Sequence, residues 1–355
     1  MIVSHRKLKQ LLLTTLVGFS SLTFADMPER IGLKVPVHDA NGNIDHKIEH
    51  RLAPEIYSQS PFTSQSSVLV SKAPAAGSTA AASNPISYHS GSIMNGVSKV
   101  VLIWYGNWNQ TNKTDTPAGQ QIIRDAIYGL SVQNAAYNYA GITTGYASNL
   151  GSFTQTGGTY VTQASSAVIN EFTQAVSTTY GGKTLTDASV FSLVKAYAGS
   201  GDANAIYLVL SSSDIAESSG FLTKYCGWHT YGSTGSNLIK YGFIGNPNKS
   251  LSACSVQSTS PNGNAAVDAM ISVIAHELVE TVTDPLLNAW YNSVGSENSD
   301  MCAWTFGSQT KLTSSGAYWN VSLPTSGGQT RNFLLQRQLG VKDSKCYINA
   351  TGPVQ

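Results

Sequence analysis

Three ionisable residues in one apolar stretch carry the clearest chemistry in this chain. Val267 to Pro285 reads VDAMISVIAHELVETVTDP, with His276, Glu277 and Glu280 set among aliphatic residues. In a helix, positions i and i+4 stand one above the other on the same face. An imidazole at 276 and a carboxylate at 280 can therefore hold one cation together, with Glu277 one position round beside them. Charges on a mostly apolar helix are costly to bury unless they are paired or bind an ion. A simple pairing of His276 with Glu280, or a solvated polar face, is the plainer alternative.

The helix that must position these groups is well marked. Val267, Met270, Ile271, Ile274, Leu278 and Val282 recur at three- and four-residue spacing, the period of a helix rather than a strand. Asn264 is a candidate N-cap, and Asp268 falls in the first turn, where the helix dipole favours negative charge. Pro285 stops the helix near Thr283 or Asp284. The layout is that of the zinc-peptidase motif H-E-x-x-H, in which two histidines hold Zn²⁺ and the Glu between them is the general base. Here Glu280 stands where the second His would be.

Downstream, NAWYNSVGSENSDMCAW carries Glu297 and Asp300, three apart and on one face if the segment is helical. The pair resembles the thermolysin-like zinc peptidases, whose third ligand is a Glu on a following helix with an Asp shortly after it. The gap from Glu280 is shorter here, and the Glu-to-Asp spacing is tighter by one. The resemblance implies a ligand set of His276, Glu280 and Glu297 with an open position for water, Glu277 as base and Asp300 orienting His276 or Glu297. Two carboxylates and one imidazole neutralise a divalent ion, so its water is less acidified than at an imidazole-rich site. Oxygen-rich ligation also suits Mn²⁺ or Ca²⁺, and a structural Ca²⁺ site competes with a catalytic Zn²⁺.

The chain opens MIVSHRKLKQLLLTTLVGFSSLTFA, a basic start, an apolar centre from Leu11 to Leu22 and a Thr23-Phe24-Ala25 ending. This reads as a secretory signal peptide over residues 1–25. The apolar centre is too short and interrupted for a membrane span, and no later stretch approaches the required length. The expected location is extracellular, or periplasmic in a Gram-negative bacterium. Charged residues make up 12% of the chain and the formal net charge is +1, which leaves no electrostatic case for nucleic acid as a partner. Cys226, Cys254, Cys302 and Cys346 are even in number, so in an oxidising compartment they form two disulfides by one of three connectivities. Local order favours Cys226 with Cys254 and Cys302 with Cys346.

Residues 26–95 show little periodicity and include KAPAAGSTAAASNP, Lys72 to Pro85, which reads as a flexible or pro-like arm. A domain over 96–355 follows. Ser98 to Trp108 and Ala205 to Leu210 read as buried strands, Ile239 to Gly245 as a third, with Trp319 to Leu323 and Asn332 to Leu335 as further candidates. Thr116 with Pro117 starts a helix to Ser131, and Ser165 to Thr178 and Ala188 to Tyr197 read as helices. The expected class is α+β: a single zincin-like domain, its mixed sheet packed on helices that include the one bearing His276.

Several segments together resemble a known family. VVLIWYGNW (Val100 to Trp108), CGWH (Cys226 to His229), SPNG and VDAMISVIAHEL (Ser260 to Leu278), DPLLNAWY (Asp284 to Tyr291) and E-x-x-D-x-C (Glu297, Asp300, Cys302) are similar to the phosphate-induced protein 1 or EXORDIUM-like secreted proteins of plant cell walls and their bacterial relatives. The resemblance implies secretion and an association with the extracellular matrix, and it brings no established reaction. His229, beside a half-cystine, is a candidate proton donor or oxyanion stabiliser in the same cleft, or a His merely ordered by the disulfide loop. Tyr291 is a further donor candidate, or a packed aromatic.

Two functions of different class fit these residues. One is a secreted metal-dependent hydrolase, peptidase-like, acting on peptide or protein with Glu277 as general base. The other is a non-catalytic extracellular binding protein in which the carboxylates hold a structural ion and exposed aromatics such as Trp104, Trp108 and Trp228 contact cell-wall polysaccharide.

Overall fold

The computed structural model describes residues 48–51, 86–95, 98–132, 139–148, 159–160, 168–234, 237–308 and 310–350. The expected signal peptide and the stretch from Lys72 to Pro85 lie outside them. In chain order the main elements are β1 (Ile48–Arg51), β2 (Lys99–Tyr105), α1 (Pro117–Ser131), β3 (Val168–Gln174), α2 (Asp187–Ala198), β4 (Ala205–Ser211), β5 (Tyr225–Thr234), β6 (Asn237–Gly245) and α3 (Ala265–Thr283). A hairpin, β7 (Val321–Pro324) with β8 (Thr330–Phe333), follows.

The six strands β1 to β6 form one sheet in the order β1-β5-β6-β4-β2-β3. The run β6-β4-β2-β3 is parallel, while β5 joins β6 and β1 antiparallel. Parallel strands need cover on both faces, which is why β2 (KVVLIWY) and β4 (AIYLVLS) are apolar almost throughout. Their side chains alternate between two cores. Val100, Leu102 and Trp104 meet Ile122, Ile123 and Ile127 of α1 and Met270 and Ile274 of α3. Val101, Ile103 and Tyr105 meet Val190, Phe191 and Val194 of α2. Each fully buried aliphatic side chain contributes roughly 1.5–3 kcal/mol, so the sandwich is the principal source of stability.

The helix starts follow from their caps. Thr116 accepts from the Gly119 amide, with Pro117 at the first helical position, and Asn264 accepts from the Val267 amide at the head of α3. The predicted helix over 165–178 is corrected: this stretch supplies the edge strand β3, followed by a 3₁₀ turn at Thr178–Tyr180. Parallel pairing with β2 holds VINEFTQ extended, and Glu171 accepts from the Trp104 indole of that strand and pairs with Arg124 of α1.

Two segments of the expected arm belong to the folded unit. β1 pairs with β5, Ile48 standing opposite His229. Ser87–Tyr88 pairs with Trp290–Tyr291, and Ile86, Ile93 and Met94 are buried. The disulfides are Cys226–Cys254 and Cys302–Cys346. No helix among the described residues is long and apolar enough to cross a membrane.

Candidate metal centre

α3 is buried on nearly every face. Its register brings His276 and Glu280 together, Nε2 to Oε1 at 3.1 Å. Glu277 is fully buried beside them, and neither of its oxygens has a hydrogen-bond partner among the described residues.

β5 supplies the opposite wall. Strand alternation puts Gly227 and His229 on one face, and Gly227 shows which face that is: a Cβ there would lie 2.7 Å from Val273 of α3. The glycine lets helix and strand approach closely enough for the His229 imidazole to reach the carboxylates. His229 Nε2 lies 3.0 Å from Glu297 and 3.7 Å from Glu280 Oε2.

The third wall is the turn after α3. The Asn292 side chain accepts from the Val294 and Ser296 amides, Glu297's amide donates to Asp300, and Asp300–Cys302 forms a 3₁₀ turn fastened by the Cys302–Cys346 bridge. The segment is therefore not the helix that would set Glu297 and Asp300 on one face. The two side chains diverge, Glu297 to His229 and Asp300 to His276 at 3.6 Å. Asp300's amide also donates to Glu280 Oε1 at 2.9 Å.

Six ionisable residues thus converge. His229, His276, Glu277, Glu280 and Glu297 are at most 1% exposed, while the Asp300 side chain keeps 23%. Burial pushes the Glu277 carboxyl well up, and Glu280, Asp300 and Glu297 add to the rise while His276 opposes it. Two trios have ligand atoms within 4.8 Å of one another, His276–Glu280–Asp300 and His229–Glu277–Glu280. Each offers one imidazole and two carboxylates, a donor set for a divalent cation. Asp300, expected behind the ligands, stands in a trio. Glu297, expected as a ligand, stands against His229.

Tyr139 and Tyr146 also lie near Glu280, which helps burial to raise both phenols, and their hydroxyls donate to the Gln336 and Leu339 carbonyls. Nothing in the sequence singles them out, since they sit in an aperiodic, polar segment. Tyr291 is buried and stacks on His89 at 3.7 Å. Trp104, Trp108 and Trp228 are all buried in the core; the expectation that they form an exposed polysaccharide platform is corrected.

The family model for the phosphate-induced protein 1 conserved region matches residues 86–349, a span that begins before the expected boundary at 96 and includes all six site residues. Three curated proteins of Arabidopsis thaliana are similar. Protein EXORDIUM-like 3 is 28% identical over 284 residues, 70% of this chain and 78% of its own length. Protein EXORDIUM-like 5 is 27% identical over 252 residues, 62% of this chain and 64% of its own. Protein EXORDIUM-like 2 is 27% identical over 244 residues, 62% and 73%. No solved structure matches the chain.

Proposed function

We propose, for a chain that belongs to the phosphate-induced protein 1 family, that it is an exported metal-dependent hydrolase, peptidase-like in its chemistry. The observation that carries this is the convergence of two imidazoles and four carboxylates in a nearly solvent-free site on three separate elements. Buried charge of one sign is expensive to retain without a compensating cation. His276, Glu280 and Asp300 would hold the ion, with Zn²⁺ the first candidate and Mn²⁺ or Ca²⁺ the others. When bound, it would supply Lewis acidity toward a scissile carbonyl.

The chain's own residues then have separate tasks. Glu277 takes a proton from the attacking water as the new C–O bond forms. It returns that proton to the leaving amine as the C–N bond breaks. His229, held by Glu297 at 3.0 Å, donates to the developing oxyanion. Access is from the Asp300 side, the one edge of the cluster with substantial exposure.

The near-complete burial of the other five residues favours a second reading, an ion whose work is structural in a non-catalytic extracellular protein. Glu277→Gln separates the two. Under the hydrolase reading it leaves the fold and the ion at His276, Glu280 and Asp300 in place and cuts cleavage of a peptide library by about a hundredfold or more. Undiminished cleavage by the variant would overturn the base assignment, and a parent protein that cleaves nothing while binding Ca²⁺ would favour the structural ion. Export is supported by the two disulfides; fractionation of the producing cells tests it.

A further inference from the structure

We infer that the cluster takes two divalent cations, bridged by the carboxylate of Glu280. This rests on reading the cluster as a metal centre, and it adds a second position made of His229, Glu277 and Glu280. The two trios of potential ligands share Glu280 and nothing else. Its oxygens face different imidazoles: Oε1 is 3.1 Å from His276 Nε2, and Oε2 is 3.7 Å from His229 Nε2. A carboxylate so placed can give one oxygen to each of two ions, the arrangement that two-metal sites use at a separation of about 3.5–4 Å.

Glu277 is the independent sign that the second position is built for a cation. Its carboxylate is 0% exposed, both oxygens are without a hydrogen-bond partner among the described residues, and it belongs to the His229 trio rather than the His276 trio. Charge points the same way. Glu277, Glu280, Glu297 and Asp300 carry four negative charges when ionised, of which one divalent ion offsets two. A second divalent ion offsets the rest, in a cluster from which solvent is nearly excluded. One imidazole with carboxylate oxygens at each position suits Mn²⁺ or Zn²⁺. Glu277 and His229 then serve as base and oxyanion donor in the one-ion form, and filling the second position takes both up as ligands.

The full chain, stripped with a chelator and reloaded with Mn²⁺, tests this by elemental analysis and electron paramagnetic resonance. The expected result is two Mn²⁺ per chain with a spin-coupled spectrum, falling to one uncoupled Mn²⁺ in Glu277→Gln and in His229→Gln. One uncoupled Mn²⁺ in the parent would overturn the second position and leave the hydrolase reading standing; no bound Mn²⁺, repeated with Zn²⁺, would overturn both. Two ions in the parent and still two in both variants would remove His229 and Glu277 from the ligand set. Far-ultraviolet circular dichroism confirms that the variants compared are folded, and the parent's stoichiometry decides the matter without them.

Discussion

Asp115 and Glu277 are equally hidden from solvent, and their surroundings differ completely. Asp115 accepts from the Ser213 amide and hydroxyl, from Asn246 at 2.8 Å, from Asn112 at 2.7 Å and from Gln110 at 3.1 Å. Glu217 is treated in the same way, accepting from the Ser219, Gly220 and Phe221 amides and from the Tyr225 hydroxyl. Such donors solvate a carboxylate from within the fold. Among the described residues Glu277 has none of them, and its neighbours include three other carboxylates. The fold can satisfy a buried carboxylate with its own donors, as it does at Asp115 and Glu217, and the different surroundings of Glu277 are what the proposed ion would account for.

The largest expected effect tests whether the cluster depends on its covalent frame while the Asp115 network does not. Cys302–Cys346 closes a separation of 44 residues around the Asp300 turn, and loss of such a loop constraint costs roughly 4 kcal/mol in the chain-entropy account. The paired substitution Cys302→Ala with Cys346→Ala should lower the unfolding free energy measured in urea by that order and weaken ion binding. Amide exchange at Ser213 under native conditions should change little. A double variant with the parent's ion affinity would show that the turn positions Asp300 without the bridge.

Next in size is the Asp115 network itself. Asp115→Ala strands the donors of Ser213, Asn112 and Asn246, and each unsatisfied buried group costs about 1–3 kcal/mol. A loss of about 3 kcal/mol or more is expected, the same with and without added metal. Dependence of that loss on metal would couple the two regions and break the contrast.

Glu277→Gln should behave in the opposite sense. In metal-free protein burial already favours the neutral, protonated carboxyl, so the substitution exchanges one uncharged group for another and stability should change by no more than about 1 kcal/mol. In ion-loaded protein the variant should forfeit part of the stabilisation that binding confers, which reaches about 2.7 kcal/mol at a hundredfold excess over Kd. Thermal melts in chelator and in Mn²⁺ measure both arms. Marked destabilisation in chelator would mean that Glu277 has a partner within the fold.

Much of this contrast is legible in the sequence, though unevenly. The caps Thr116 and Asn264, the aliphatic runs of β2 and β4, and the spacing of His276 to Glu280 are local signals, and the structure matches them. Residues 168–174 differ from the helix expected there because small and apolar residues also fit a helix, whereas pairing with β2, some 70 positions earlier, holds them extended. The expectation for Glu297 and Asp300 assumed a helical segment, and a 3₁₀ turn instead sends them to different imidazoles. His229 was recognisable as a site candidate. Its reach depends on Gly227 letting β5 approach α3, a contact no local pattern reveals.

The smallest expected effect lies at the other end of α3, in a carboxylate intermediate between the two extremes. Asp268 is partly buried in the first turn and accepts from Ser260 and from Asn262 at 2.7 Å. Burial nevertheless pushes its carboxyl up to about 6 from 3.8, outweighing those hydrogen bonds. A raised folded-state value means that the folded protein favours the protonated form. Its contribution to stability is therefore fully present below pH 3.8 and lost as the pH rises through about 6. At about 1.36 kcal/mol per unit the upper bound is about 3 kcal/mol, and residual solvent contact reduces this to about 1. Asp268→Asn should accordingly flatten the pH dependence of the melting temperature between pH 4 and 6 while leaving metal stoichiometry unchanged. A variant with the parent's full slope in that window would assign the titration elsewhere, and a change in stoichiometry would show that the head of α3 communicates with the cluster two turns and more away.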